Sequence, residues 1–421
     1  MRDMAATFAP AKPVYAPGVP QTLEQLGIPQ SLVLDLMLRR ALLEGMTSLQ
    51  SLSTALRISI PVANAIFTQM RQQQLVEVKG MQGNDYSFTL SGQGKQMASE
   101  RFQLSQYAGA APVSLRDYHQ ATRAQAARVQ IDRKALRSAF SDLVVPDHLL
   151  DQLGPALISQ NSIFVYGPTG NGKTSLAERM LRVYSDTILM PHAVEVDGQI
   201  ISLYDPVVHH RIDSQDADID PRWVLCRRPC IVVGGELIPS MLELRLDETS
   251  GIYAAPLQMK ANNGIFIIDD FGRQMLSPRE LLNRWIVPLD RRVDYLTLAS
   301  GMKFQVPFEL MVVFSTNLNP NSLADEAFLR RIQTKVQVQE VADDIFDEIL
   351  RRVLSAQQTP ADPGMIEYLR ERCRAAAGLL HACYPIDLFR LVKSICEYEG
   401  RPPRMTRENI DRAVALYFAK S

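Results

Sequence analysis

Apolar residues recur at helical spacing in three early stretches, Ser31–Leu43, Thr47–Leu56 and Pro61–Gln74, and predict three helices. Thr47 offers a cap for the second, and Pro61 stands in the first turn of the third, where its missing N–H does no harm. The period then falls to two. Leu75–Val78 and Tyr86–Leu90 flank the turn-rich Gly80–Asp85 and predict a β-hairpin, after which Gly92–Phe102 returns to helix. From Ala139 the pattern alternates between strand and helix, which argues for a parallel sheet with crossovers. Two of the strands, Gly264–Ile268 and Leu310–Thr316, are unbroken apolar runs, as burial on both faces requires. Beyond Val341 the chain turns all-helical. Asp344–Leu354, Gly364–Ala377, Pro385–Tyr398 and Arg407–Lys420 are each periodic, and Thr406 caps the last.

Composition narrows the class more than the chemistry. A chain of 421 residues exceeds one compact core and suits two or three domains. Apolar residues at 46% and charged residues at 22% are ordinary for a globular protein, and a net charge of −1 announces neither nucleic acid nor a membrane surface. No apolar run is long enough for a membrane span, and the N-terminus lacks the apolar stretch of a signal peptide. Five cysteines in a chain of this length fit a reducing compartment, so a cytoplasmic location is expected. Cys226 and Cys230 follow His209 and His210, but adjacent histidines are poorly disposed to ligate one ion, and no metal beyond Mg²⁺ is expected.

The sharpest motif is Gly167-Pro168-Thr169-Gly170-Asn171-Gly172-Lys173-Thr174, preceded by the apolar run Ile163–Tyr166 and followed by a helix expected from Ser175 to about Arg182. Strand, glycine turn and helix are the context in which this spacing cradles the phosphates of a nucleoside triphosphate. Backbone N–H groups converge on the anion, Lys173 reaches the β- and γ-phosphates, Thr174 coordinates Mg²⁺, and Ser175 opens the helix whose positive dipole end faces the same charge. Downstream, the strand ending at Ile268 runs into Asp269 and Asp270. There the first acid is expected to hold Mg²⁺ and the second to orient or deprotonate the attacking water. The next buried strand ends in Asn317, a neutral amide suited to the same water or to the γ-phosphate. Arg330 and Arg331 follow, and one of them can stabilise transition-state charge at a neighbouring subunit's ATP.

Phosphate loop, strand with two acids, strand ending in Asn, arginine pair and helical lid, in this order, resemble the AAA+ ATPases. The resemblance runs from about Ala139 to Ser421 and implies an α/β fold: an αβα phosphate-loop core with a C-terminal helical lid, ATP between them, and a hexameric ring of identical subunits. It implies Lys173 and Thr174 in the first motif, Asp269 and Asp270 in the second, Asn317 as first sensor and Arg331, with Arg330 as alternate, as the finger acting in trans. Tyr295–Leu298, Ala299-Ser300-Gly301 and Met302–Val306 resemble the hairpin placed before the sensor strand in MoxR-like ATPases, chelatases and replicative helicases. Val306-Pro307-Phe308 fits the MoxR-like pattern, whose members are chaperone-like remodellers of partner complexes. The sequence departs from the family twice. The acidic pair is Asp-Asp rather than the usual Asp-Glu, and Ile386 follows Pro385 where the lid normally carries an arginine, leaving Arg390 on the same face as its substitute.

The helices and hairpin of residues 21–105 resemble a winged helix-turn-helix. They contain seven Lys/Arg against six Asp/Glu, which lacks the footprint of a phosphate-backbone reader, so docking of a protein client is favoured over DNA. The expected organisation is a proline-rich flexible arm (1–20), a winged-helix-like domain (21–105), a basic helical linker (106–138), the ATPase core (139–340) and the lid (341–421). Three functions follow, the first two an ATP-hydrolysing remodeller of a protein partner and a DNA-associated ATPase using the winged helix. An ATP-binding scaffold with little turnover is the third. No membrane insertion is expected. Tyr253, between Gly251 and Pro256, is a candidate for the channel of such a ring if it lies on a loop tip.

Overall fold

The computed structural model describes residues 13–83, 85–126, 131–213, 218–323 and 326–418. The first twelve residues of the expected arm, Asn84 at the hairpin tip, Arg128 of the basic stretch and Lys420 lie outside them. Helices α1 (Gln30–Glu44), α2 (Leu49–Leu56) and α3 (Ile60–Gln72) come first, with a short strand β1 (Met46–Ser48) between α1 and α2. Thr47 therefore belongs to a strand, and the cap of α2 is Ser48, whose hydroxyl accepts from Ser51 N. Strands β2 (Val76–Gln82) and β3 (Asp85–Leu90) form the hairpin, β1 pairs with β3, and α4 (Gly92–Leu104) follows. Leu36, Met37, Leu52, Ile66, Phe67 and Phe88 fill the core of this unit.

The expected basic connector is built into the body of the protein. It holds strand β4 (Val113–Ser114) and helices α5 (Leu115–Ala124) and α6 (Arg133–Ala139). α5 buries Tyr118 and Ala121 and leaves Arg116 and Arg123 in solvent, so the basic charge is its outer face. Next, α7 (Asp147–Ser159) leads to β5 (Ile163–Tyr166), and α8 (Lys173–Arg179) follows the glycine loop. α8 spans seven residues before a 3-10 turn at Met180–Val183, so it starts two residues earlier and ends sooner than the periodicity predicts.

Strict alternation fails after α8. Strands β6 (Thr187–Pro191), β7 (Ala193–Val196), β8 (Gln199–Ser202), β9 (Trp223–Arg227), β10 (Cys230–Val233), β11 (Arg245–Asp247) and β12 (Ile252–Ala254) succeed one another before α9 (Leu257–Lys260). Turn residues cut the apolar runs too short for helices. Asp197 and Gly198, both at positive φ, make a two-residue hairpin turn between Val196 and Gln199. β11, β12, β8, β7 and β4 lie in that order as a mixed sheet, and β6 pairs antiparallel with β9.

The remaining elements are β13 (Ile265–Ile268), α10 (Pro278–Arg291), β14 (Val293–Thr297), β15 (Lys303–Pro307), β16 (Met311–Thr316), α11 (Pro320–Leu323), α12 (Glu326–Leu329), β17 (Thr334–Gln337) and the C-terminal helices α13 (Asp343–Ala356), α14 (Met365–Ala377), α15 (Tyr384–Tyr398) and α16 (Arg407–Tyr417). The central sheet runs β10-β13-β16-β5-β17, and every neighbouring pair is parallel. Its two faces explain the unbroken apolar strands. Phe164, Phe266, Ile268, Val312 and Phe314 pack with Trp285 of α10, while Ile163, Val165, Ile265, Ile267, Met311 and Val313 pack with α7 and α8. The molecule is thus mixed α/β, with a parallel sheet covered on both faces and helices at its C-terminal end.

Hairpin β14–β15 does not stand alone. Leu296, Leu298, Phe304 and Val306 enter the core of the mixed sheet, and Ala299 N donates to Tyr253 Oη (2.9 Å). The N-terminal unit is fastened to the same sheet. Arg222 and Asp220 form an ion pair at 3% and 2% exposure, and Arg222 Nη1 donates to Leu26 O and Pro112 O. A buried pair persists only with such extra hydrogen bonds. Residues 13–20, expected as a flexible arm, lie along this junction: Tyr15 meets Trp223 edge-on at 5.7 Å, and Asp220 N donates to Pro17 O.

His192 sits close by, its ring 5.3 Å from that of Tyr204 and its Nε2 buried without a partner among the described residues. Burial takes its pKa from 6.5 down to about 4, and the guanidiniums of Arg57 and Arg211 act in the same direction. Because the folded value lies below the unfolded one, His192 contributes full stability above about pH 6.5 and loses it as pH falls towards 4. Thermal melts across that range should show a loss of up to about 3 kcal/mol from this group. His192→Gln should flatten the slope above pH 5, and an unchanged slope would assign it elsewhere.

Candidate functional site

The loop from Gly167 to Lys173 leaves the carboxyl end of β5, beside the carboxyl ends of β16 and β13. Glycine is required twice by contact as well as by φ. Gly167 has φ +141° and a Cβ there would meet Val338 O at 2.0 Å; Gly170 has φ +75° and its Cβ would meet Cys383 Sγ at 2.6 Å. The loop curls around Lys173, which is 7% exposed and whose Nζ donates to Gly167 O (2.8 Å), Pro168 O (2.8 Å) and Asn317 Oδ1 (2.6 Å). Burial draws the Lys173 ammonium below the usual lysine pKa, and the carboxylates of Asp269 and Asp270 act against that shift.

Thr174 Oγ1 donates to Asp269 Oδ2 at 2.7 Å, and Asp269 Oδ1 accepts from Asp270 N at 3.0 Å. Asp270 itself has φ +49°, a left-handed conformation that Asp adopts more readily than most residues, and its Oδ1 accepts from Asn317 Nδ2 at 3.0 Å. The Asn317 amide is therefore oriented by chemistry: an ammonium only donates and a carboxylate only accepts. Gln274 steadies the turn after β13, donating to Asp269 O and accepting from Gly272 N. One hydrogen-bonded chain thus joins the loop lysine to both acids through Asn317.

The loop is also met from the C-terminal helices, at residues that the sequence does not single out. His381 Nδ1 donates to Thr169 O (2.8 Å), Ala382 N to Asn171 Oδ1 (3.0 Å) and Cys383 N to Gly170 O (2.8 Å). Asn171 is 8% exposed, and its Nδ2 has no partner among the described residues. His381 and Cys383 follow no periodicity and match no motif, so nothing in their spacing points to the loop. Ser175 lies in the first turn of α8, with its carbonyl accepting from Arg179 (3.4 Å).

Four expected residues stand away from this cluster. Arg331 pairs with Asp290 (2.8 Å), and it lies with Arg330, Arg292 and Asn161 around a recess of about 560 Å³. That recess is at the amino end of β5 and β17, because Asn161 and Gln333, hydrogen-bonded to each other, precede Ile163 and Thr334. The four residues of β5 separate it from the loop, roughly 13 Å at about 3.3 Å each. Arg390 is exposed on α15 and pairs with Asp387 at 3.6 Å. Tyr253 is no loop tip. It lies in β12 at 4% exposure, inside the core of the mixed sheet, which removes it from any channel.

His209 and Cys226, the candidate metal ligands, are both buried in the fold. His209 Nδ1 accepts from Asp205 N, so Nε2 carries the proton and donates to Lys260 O; Cys226 lies in β9 with its thiol pushed up to about 12 by burial. No helix among the described residues is long and apolar enough to cross a membrane.

A family model described as a domain of unknown function (DUF8689) matches residues 342–416. No curated protein matches this sequence. Among solved structures, the Thermotoga maritima RuvB Holliday junction branch migration motor is 13% identical, over 69% of this chain and 72% of that one, with a TM-score of 0.38. A mutant of the same RuvB is 12% identical over 66% and 72%, with a TM-score of 0.41. NtrX from Brucella abortus, in complex with ATP, is 14% identical over 57% of this chain and 45% of that chain, with a TM-score of 0.32. The likeness to each is distant.

The burial of Tyr253 has a measurable consequence. Tyr253→Ala should lower stability by roughly 3–5 kcal/mol, as large aromatic truncations do, and melt early, whereas Tyr253→Phe should lose only the bond from Ala299 N. Normal melting of the alanine variant would contradict the burial.

Proposed function

We propose that this chain binds and hydrolyses ATP as a member of the AAA+ type, in a hexameric ring that remodels a protein partner. The observation that carries the proposal is the meeting of Lys173, Thr174, Asp269, Asp270 and Asn317 at the carboxyl ends of three adjacent parallel strands. A buried ammonium surrounded by oxygen acceptors, under a loop that needs glycine, suits the β- and γ-phosphates.

Thr174 Oγ1 and Asp269 Oδ2 are hard oxygen donors already in contact, and they fit Mg²⁺, which takes one or two protein oxygens beside phosphate and water. When bound, Mg²⁺ neutralises phosphate charge. Lys173 holds the γ-phosphate in line. Asn317 and Asp270 orient a water, whose oxygen bonds to the γ-phosphorus as the bond to the bridging oxygen breaks; Asp270 takes the proton, leaving ADP and phosphate.

Arg331 and Arg330 enter only between subunits. An arginine side chain does not span the roughly 13 Å of β5, so a role for either on ATP requires a neighbour's loop against the recess they line. Arg390 would serve the lid only by leaving Asp387. A protein client is supported by the N-terminal unit's surface. Leu43, Met46, Val78 and Met81 are exposed there, while Arg71 of α3 lies over its own Phe67 and Tyr86 rings. DNA binding by that unit finds no comparable support.

Lys173→Ala should abolish nucleotide binding in a calorimetric titration, and normal affinity would sink the assignment of the loop. Asp270→Asn should keep binding and lower turnover about a hundredfold or more; unchanged phosphate release would mean that another group handles the water. Arg331→Ala should lower turnover roughly a thousandfold without changing the melting temperature. Mixed with Lys173→Ala it should regain activity, because some interfaces then join an intact arginine to an intact loop. No recovery on mixing would confine Arg331 to its own subunit.

A further inference from the structure

The phosphate loop presents four consecutive carbonyls, and each is held. Lys173 takes those of Gly167 and Pro168 from one side; His381 and Cys383 take those of Thr169 and Gly170 from the other. A peptide unit is planar and trans, so its N–H points away from its own C=O. The donors on Thr169 O and Gly170 O therefore set the direction of the Gly170 and Asn171 N–H groups, which point away from the lid. No protein group among the described residues accepts from either amide. A donor on the carbonyl also polarises the N–H of the same unit and makes it a stronger donor in turn.

We propose that residues 381–383 are a positioning clasp through which the C-terminal helical unit sets the phosphate affinity of the loop, by gripping its outer carbonyls rather than by touching nucleotide. This gives a task to the segment whose family model carries no function, and it rests on the reading of the loop as a nucleotide site. The clasp is braced from behind. Tyr384 packs on His381 (5.0 Å) and on Phe418 (5.1 Å), Tyr417 donates to Asp387 (3.2 Å), and Val341 N donates to Leu380 O. Ala382 N meanwhile fixes the Asn171 amide, whose Nδ2 is the buried donor left over. The clasp also works with Ile386 at the position where the resembled lid carries arginine: backbone amides and one imidazole do the gripping. His381 is a positioning residue here, acting on phosphate through the Thr169–Gly170 peptide.

The test uses the full chain and a fluorescent ATP analogue, with its release rate followed after addition of excess ATP. His381→Phe keeps the ring against Tyr384 but loses the Nδ1 donor, and should speed release about fivefold to tenfold, the loss of one such hydrogen bond. His381→Asn sets an amide N–H near the position of Nδ1 and should return the rate to within about twofold of wild type. His381→Gln, whose amide extends one methylene further, should restore less. Melting temperatures of all three should stay together. If His381→Phe releases nucleotide at the wild-type rate while Lys173→Ala binds none, the clasp is refuted and the nucleotide site stands. Failure of His381→Asn to restore the rate, or parallel loss of melting temperature, makes His381 merely structural and also refutes the clasp. If the wild type binds no analogue, the nucleotide reading fails and the clasp falls with it.

Discussion

An ammonium almost excluded from water has to be surrounded by oxygen. Lys173 satisfies that demand with two carbonyls of its own loop and the side chain of Asn317. This single requirement closes the loop over itself and ties it to the end of β16. Through the Asn317 amide it also reaches Asp270 in the turn after β13. Three strand ends are thereby held in a fixed relation. The all-apolar strands are what make that relation rigid, since each is packed on both faces and cannot slide without exposing a row of side chains.

A second body is built on the mixed sheet. It gathers the N-terminal unit through Arg222, helix α5 through Tyr118 and hairpin β14–β15 through Tyr253 and Leu296. It meets the central sheet at Arg228, which pairs with Asp186 and donates to Gln125 O and Asn263 O beside the start of β13. Charge buried at such a joint is held in one geometry by its full set of acceptors. The hairpin before β16 is therefore a wall of this body rather than a free arm.

The loop, the acids and Asn317 were legible because each lies within a short contiguous stretch whose flanks have a definite period: a strand of four apolar residues, then Gly-Lys-Thr, or an apolar run ending in acid. The parallel sheet and the C-terminal helices were legible on the same ground. The mixed sheet was not. Its strands are two to four residues long, and their pairing joins residues as distant as Val113 and Val194, which no local pattern encodes. Tyr253 misled because Gly251 and Pro256 mark turns on either side of a three-residue strand. The grip of His381 and Cys383 was invisible for another reason. Apart from the His381 imidazole it uses backbone amides and carbonyls, which nearly every residue carries, and its specificity lies in where α14 and α15 direct the chain between them.

The left-handed backbone at Asp270 has a consequence for which acid can stand there. That region of conformational space admits Asp and Asn more readily than most side chains, because a short polar group can hydrogen-bond locally to its own main chain. Here the short carboxylate also meets the Asn317 amide at 3.0 Å. A glutamate would carry its charge one methylene past that donor. The short aspartate in the second position thus suits this turn through its side chain as well as its backbone: its carboxylate lands on the Asn317 amide, and reach is supplied by bringing Asn317 to it.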